Sequence, residues 1–433
     1  MNTTDIHSVW YVLMIAFHFP PFAGSSGVQR SLRFCQYLPQ HGWQPVVLTV
    51  HPRAYEKTSD DQLPEISTET QVARAFVLDT ARHLSIGGRY LNWMALPDRW
   101  ISWVLGAVPR GLALIRKYRP QVIWSTYPIG TAHIIASILH RLTGIPWVAD
   151  FRDPMVEYDL QLGRWAPQDT ALRRVRLWIE RTAVQHAARM VFCTEGARRI
   201  CMERYPQEMH DRWVVIQNGY DESAFKAAES RVSPSAQSDS LITLLHSGVM
   251  YYSPDRDPTA FFAAIGAMNA SGELSSKSLR VILRASGYEK EYRQLVGQQG
   301  IDEIILLEPS ISYTQALREM MDVDGLLLFQ GYTSNPAIPA KVYEYLRAGK
   351  PILALVDEQG ETARLLRDLG VGLTAPMNDA THITRALREF MLQIRQKRAS
   401  VAAPEVVSCY SREARTRELA CLLADVIRES DLA

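Results

Sequence analysis

Residues 9–34 read VWYVLMIAFHFPPFAGSSGVQRSLRF, and the fold is decided by how this stretch is parsed. Trp10–Ala16 is a continuous apolar run too short for a helix, the pattern of a strand buried on both faces. Pro20 and Pro21 end it, and a helical spacing of apolar residues takes over at Val28. Between the two, Gly24 and Gly27 flank a pair of serines. Small residues let a backbone approach a ligand closely, and a helix N-terminus offers free N–H groups with a partial positive charge. The same loop reads equally well as a tight strand–helix turn. It is not a G-x-G-x-x-G fingerprint, and no suitably placed acidic residue caps the next strand, so a dinucleotide dehydrogenase is the least favoured reading.

The strand–loop–helix unit then recurs. Further apolar runs lie at Pro45–Val50, Val122–Ser125, Trp147–Asp150, Met190–Cys193 and Val214–Ile216, with helical periodicity between them. Lys226–Ser240 is rich in serine and small residues and lacks apolar periodicity, so it reads as a linker. Beyond it the alternation begins afresh, with runs at Leu241–His246, Leu279–Leu283, Ile304–Leu307, Gly325–Phe329, Ile352–Leu355 and Gly372–Thr374. A last helix is expected near Arg412–Ile427. The expectation is an α/β chain of two Rossmann-like parallel-sheet domains facing a central cleft. Residues 1–225 would form the first, 226–240 the linker and 241–408 the second, with a helix in 409–433 returning to the first. A length of 433 residues agrees, since a single core rarely grows that far. Ligands of such sheets bind beyond the carboxyl ends of the strands.

Composition narrows the function. A net charge of +1 gives no global field for nucleic acid. The five cysteines, Cys35, Cys193, Cys201, Cys409 and Cys421, show no C-x-x-C spacing and read as reduced thiols of a cytoplasmic protein. The opening apolar run lacks a basic flank and a cleavage site, and no run approaches the length of a membrane span, so neither a secretory signal nor an integral membrane protein is expected. Tyr90–Trp103 gathers Trp93, Trp100 and Trp103 among arginines. It reads as core packing, with docking on a membrane that holds a lipid-linked acceptor as the second reading.

The second segment that carries chemistry is PAIPAKVYEYLRAGKPILAL, 336–355. Pro339 suits the start of a helix whose free N–H groups seat a pyrophosphate, and Lys341, Glu344 and Tyr345 share one helical face. A carboxylate one turn below a phosphate can accept the hydroxyls of a ribose. Read alone, the pair favours the plainer reading, an exposed Lys–Glu contact of about 0.2–0.5 kcal/mol. His18 and His246 stand at strand ends as site candidates, whereas His133 on an apolar helix reads as a packed or capping histidine. Asp322 and Asp324 have D-x-D spacing but precede an apolar strand, so no metal site is expected.

The order and wording of several segments resemble glycosyltransferase family 4, retaining enzymes of GT-B architecture, and within it a bacterial surface-polysaccharide subgroup. FHFPPFAGSSGVQRSLRF looks like the family's opening loop and helix, and LPDRWISWV, STYPIG and PWVADFRDPM like mid-domain segments. FCTEGARRICMERYP with VVIQNGYDESAF closes the first domain, while LLHSGVMYYSPDRDP, VDGLLLF and AKVYEYLRAGKPILAL resemble the donor domain. The resemblance implies a nucleotide-diphosphate sugar as donor substrate and a saccharide or polyprenyl-linked acceptor. No cofactor and no metal are expected, with a cytoplasmic location and, on the second reading of Tyr90–Trp103, peripheral membrane contact. By position it implies Glu344 as the ribose ligand, and Gly248, Arg256 and Lys341 at the diphosphate. Gly24 and Gly27 would approach donor and acceptor, and Asp150, Asp153 and His18 would lie near the reacting sugar. One departure stands out: the motif's first glutamate falls on Pro336. Backbone N–H groups of Ala337 and Ile338 are the expected replacement. A GT-B nucleotide-sugar epimerase and a non-catalytic sugar-nucleotide-binding protein are the alternatives.

Overall fold

The computed structural model describes residues 9–23, 27–159, 162–229, 241–251 and 253–432. The chain up to Asn218, joined by the tail from Arg412, forms one compact unit, and Gly219–Ser411 forms a second. Each unit is built on a parallel sheet. In the first, seven strands lie in the order Gln71–Ala75, Trp43–Val50, Trp10–Ile15, Val122–Thr126, Trp147–Arg152, Arg189–Phe192 and Trp213–Val215. In the second, six strands are ordered Ile305–Glu308, Leu279–Arg284, Ile242–Ser247, Gly325–Phe329, Ile352–Leu355 and Leu373–Ala375. Both sheets start in the middle and reverse direction between the first strand and a later neighbour, so each has a switch point there.

Burial on both faces explains why the strands read as unbroken apolar runs. In the first unit Leu13, Ile15, Val46 and Leu48 enter one apolar cluster, while the alternating Val12, Met14 and Val47 enter the other. In the second unit Leu244, Leu327 and Phe329 face one layer and Leu245, Leu326 and Leu328 the opposite one. Each such side chain removed from water stabilises its unit by about 1.5–3 kcal/mol. The tail helix Arg412–Leu432 packs into the first unit: Leu419, Leu423 and Val426 share a cluster with Leu32 and Phe34 of the helix Gly27–Tyr37. Arg189 also pairs with Glu429 there.

Three features depart from the sequence reading. The edge strand Gln71–Ala75 was not expected, because an edge strand with one open face lacks the continuous apolar signature. A short antiparallel hairpin, Glu157–Asp159 with Arg164–Ala166, follows the fifth strand of the first sheet. Residues 226–229 are the end of a helix, Glu222–Glu229, that packs on Tyr313–Asp322, with Phe225 fully buried. The remainder of the expected linker, 230–240, lies outside the described residues.

One polar contact ties the opening helix of the first unit to its sheet. Arg30 Nε and Nη2 donate to Asp150 Oδ2 and Oδ1 at 2.8 and 3.0 Å, both side chains being buried. Thr126 Oγ1 donates to Asp150 Oδ2 at 3.1 Å, and Arg30 Nη1 to the Gln217 carbonyl at 3.2 Å. Removing the carboxylate would strand a guanidinium in the core. Asp150→Ala is expected to destabilise the first unit by about 3–5 kcal/mol, read as a lower urea midpoint. A change under about 1 kcal/mol would mean that the pair is not what holds the helix.

Candidate functional site

In the second unit, the loops after the first and fourth strands and the helix Ala340–Ala348 bring charged groups together. Gly248 follows strand Ile242–Ser247 with φ +105°, a conformation that side-chain-bearing residues rarely adopt. A Cβ there would sit 3.1 Å from Lys341 Nζ. The dihedral calls for glycine, and a Cβ would also press on the Lys341 ammonium. Lys341 Nζ lies 3.2 Å from His246 Nε2, and His246 Nδ1 lies 2.9 Å from the Leu327 carbonyl. Nδ1 therefore carries the proton that the carbonyl accepts, leaving Nε2 to accept from the ammonium. Burial and the neighbouring Lys341 charge hold His246 well below the usual histidine range, which keeps it neutral.

Lys341 is itself pushed down to about 7, first by burial and then by the Arg256 charge, with Glu344 opposing. Arg256 reaches this corner from the turn Pro254–Arg256. Its Nη1 donates to the Val249 carbonyl at 3.3 Å and the guanidinium lies 5.3 Å from the Tyr251 ring centroid. Its buried Nε makes no hydrogen bond among the described residues but lies 3.6 Å from Asp255 Oδ2, an ion pair. Lys341 and Arg256 are close enough to lower the lysine even with Glu344 near one and Asp255 paired with the other, and a further anion beside the ammonium would relieve that repulsion. Glu344, one turn below Lys341, accepts at Oε1 from the Tyr313 hydroxyl at 2.8 Å. Tyr345 Oη accepts from the Ser247 backbone N–H at 3.0 Å and so braces the glycine loop from beneath.

The expected substitute for the motif glutamate needs correction. Ala337 N–H is already donated to the Ser334 carbonyl at 2.9 Å. The segment around Pro336 is instead held by Gln330, whose Nε2 donates to the Ser334 and Ala337 carbonyls at 2.7 and 2.9 Å while Thr362 Oγ1 donates to its Oε1 at 2.6 Å. The D-x-D pair is spent on structure: Asp324 Oδ2 accepts from the Thr243 backbone at 2.7 Å, and Asp322 lies 3.7 Å from Arg318. Among the described residues no group of three His, Cys, Asp or Glu could hold a metal ion.

The first unit gathers titratable groups at its own strand ends. Gly24 lies outside the described residues, and Gly27 is the first residue of its helix. His18 stacks on Phe22 at 4.4 Å, and burial with the Arg152 charge lowers it to about 4. Its Nδ1 has no hydrogen-bond partner among the described residues. Asp150 does not open onto this space: both oxygens are taken by Arg30 and Thr126, so a direct contact with a sugar is replaced by a positioning role. Asp153 is half-buried, and burial raises it above the usual carboxylate range against the pull of Arg152 and Arg30. Glu157 is raised to about 7 by burial and by Asp153. His133 is fully buried, its Nδ1 at 2.7 Å from Ser125 Oγ, as a packed histidine should be.

Arg152, Glu157 and Tyr313 were missed from sequence. Arg152 sits at a strand irregularity with φ +63°, and the Asp153 N–H reaches back to the Phe151 carbonyl at 2.6 Å, closing a strained three-residue turn. Its Nη1 donates to the Tyr127 carbonyl at 3.2 Å and its buried Nε is unpartnered among the described residues. The polar interruption RD at the end of an apolar strand was the available signal.

Comparison with known proteins agrees with this layout. Residues 26–219 match the family model of the glycosyl transferase 4-like domain. No curated protein sequence matches the chain. Among solved structures the chain is similar to sucrose-phosphate synthase from Thermosynechococcus elongatus, at 13% identity and a TM-score of 0.66 over 97% of this chain and 100% of that one. It is similar to HepE from Anabaena in complex with UDP, at 13% identity and TM-score 0.64, covering 96% and 100% of the two chains. It is also similar to UDP-GlcNAc 2-epimerase from Neisseria meningitidis bound to UDP-GlcNAc, at 11% identity and TM-score 0.54, covering 96% and 100%. At these identities the likeness shows the fold. Residues 26–219 are similar to the glycosyl transferase 4-like domain, and the fold is a GT-B pair of Rossmann-like domains.

The Lys341 charge has a pH consequence. With a free-state pKa near 7, its ammonium is lost as pH rises through that value. A bound diphosphate would hold the proton on, so binding takes one up. Pyrophosphate affinity of the native protein is expected to fall above about pH 7, relative to Lys341→Met, by up to about tenfold per pH unit. Calorimetry across that range checks this, and a pH-independent ratio between the two proteins would refute it.

Proposed function

We propose that the protein is a glycosyltransferase that moves a sugar from a nucleotide-diphosphate donor to a hydroxyl of a saccharide or lipid-linked saccharide. Anomeric configuration is retained, no metal is used, and the setting is assembly of a cell-surface polysaccharide. The observation that carries this reading is the crowding of Lys341 and Arg256 beside Glu344 across the Gly248 loop. The glycosyl transferase 4-like domain and the likeness to HepE, solved with UDP, support it. Retention and the polysaccharide setting rest on the resemblance to family 4.

Breaking the bond between sugar and diphosphate puts negative charge on the leaving group and oxocarbenium character on the sugar. Lys341, Arg256 and the free N–H groups at the start of the helix Ala340–Ala348 stabilise the first. Glu344 accepts the ribose hydroxyls, displacing or sharing the Tyr313 contact. In the first unit, Gly24 and Gly27 admit the donor phosphate and acceptor. His18 and Asp153 serve the reacting sugar, with Asp150 positioning the opening helix through Arg30.

Glu344→Ala is expected to lower nucleoside diphosphate affinity tenfold or more, since a charged acceptor of a buried hydroxyl contributes about 1.5–3 kcal/mol. The same variant should lose discrimination between the ribose and 2′-deoxyribose forms, and unchanged affinity removes the ribose role. The activity is tested by incubating the protein with nucleotide sugars, with and without saccharide acceptors, and analysing products by mass spectrometry. Sugar transfer is expected. An isomerised nucleotide sugar in the donor-only arm would favour an epimerase, and donor binding without any turnover a non-catalytic protein.

A further inference from the structure

Asp255 and Arg256 are neighbours in the turn Pro254–Arg256, yet their charges do not close on each other. Arg256 Nε lies 3.6 Å from Asp255 Oδ2, beyond hydrogen-bond distance. The Nε of Arg30, Arg284 and Arg347, by comparison, meets a carboxylate at 2.8, 2.9 and 2.7 Å. The Arg256 and Asp255 side chains are only 15% and 21% exposed, so water screens their attraction only in part. Something other than solvent must hold the carboxylate back.

The opposing hold comes from the loop after strand Gly325–Phe329. Thr333 Oγ1 donates to Asp255 Oδ1 at 2.9 Å, and the Gly331 backbone N–H donates to the Asp255 carbonyl at 2.6 Å. Both donors stand on one rigid segment. The turn Tyr332–Ser334 is closed by the Ser334 and Asn335 N–H groups on the Gly331 and Tyr332 carbonyls, each at 3.1 Å. Gln330 fixes the same segment through the Ser334 and Ala337 carbonyls. The Thr333 hydroxyl therefore pulls from a fixed origin. The guanidinium is meanwhile held within its own loop, by the Val249 carbonyl at 3.3 Å and by the Tyr251 ring.

We propose that Thr333 is a positioning residue of the diphosphate site: its hydroxyl draws the Asp255 carboxylate away from Arg256 and leaves that guanidinium charge open to an anion. A carboxylate closed on the guanidinium would have to be displaced by an incoming phosphate oxygen, because both compete for the same N–H donors. Held at 3.6 Å, it docks the turn without occupying them. Asp255 thus ties the turn to the neighbouring loop, and Thr333 decides how much of the arginine's charge that tie consumes. The segment that carries proline at 336, where the family motif has a glutamate, serves the leaving group through Thr333. The inference rests on reading Lys341 and Arg256 as the cations of the diphosphate.

The test is calorimetric titration of the full chain with inorganic pyrophosphate at about pH 6, where Lys341 is charged. Thr333→Val keeps the shape of the side chain but lets the carboxylate close on Arg256, and it should lower affinity about fivefold. Thr333→Ser keeps the hydroxyl and should retain native affinity. Asp255→Asn should raise affinity about threefold, and with that change in place Thr333→Val should have no further effect. Thr333→Val should also move the pH at which affinity falls upward. Closing Asp255 on Arg256 removes one of the causes that lower Lys341, while His246 and Glu344 beside it are unchanged. Native affinity in Thr333→Val, an equal loss in Thr333→Ser, or a loss that persists alongside Asp255→Asn would each overturn the inference. Should Thr333→Val lower Tm, Asp255→Asn decides alone, and the absence of a gain there overturns it. If the native protein binds no pyrophosphate, the reading of Lys341 and Arg256 fails and takes this inference with it. If it binds and Thr333→Val changes nothing, only this inference fails.

Discussion

A parallel sheet buried on both faces leaves its strands no surface on which to build chemistry. Val12 to Ile15 in one unit and Leu244 with Leu245 in the other are consumed by core packing, layer by layer. Backbone order is available only where the strands stop. The polar residues assembled there lie at or just beyond strand ends, His18 and Asp153 in one unit and His246 and Gly248 in the other, or in the first turn of a helix, as Lys341 does. The same constraint that stabilises the sheets sets where they can act.

Charge is handled differently at those ends. In the first unit the buried cation Arg30 is neutralised by Asp150 and becomes part of the framework. In the second, Lys341 and Arg256 repel each other, with a neutral imidazole rather than a carboxylate as the closest partner of the ammonium. A satisfied ion pair holds the backbone in place, whereas an ammonium lowered by burial and by a second cation gains from an incoming anion, even with Asp255 already paired to Arg256. His246 contributes by fixing the ammonium's direction without cancelling its charge.

Most strands were legible because burial on two faces writes an apolar run that periodicity detects; Gly325–Phe329 and Ile352–Leu355 match the expected bounds. Gln71–Ala75 was not, since one open edge mixes Gln and Arg into the run. Lys341 and Glu344 were visible as a helical pair, but their partners were not. Tyr313 lies 31 positions from Glu344, and His246 lies 95 from Lys341, distances that only the fold closes. Nothing in the sequence distinguished Asp150 from Asp153, two carboxylates in one short segment. Burial and Arg30 separate them, and both are tertiary facts.

The tail helix Arg412–Leu432 completes a unit whose other parts precede Asn218. During synthesis the whole of the intervening unit must leave the ribosome before that helix can reach the surface formed by Leu32 and Phe34. The domain made first is therefore the one finished last, and its apolar flank waits uncovered through that interval. A truncation near the carboxyl end would accordingly show itself as aggregation of the amino-terminal half, far from the cut in sequence.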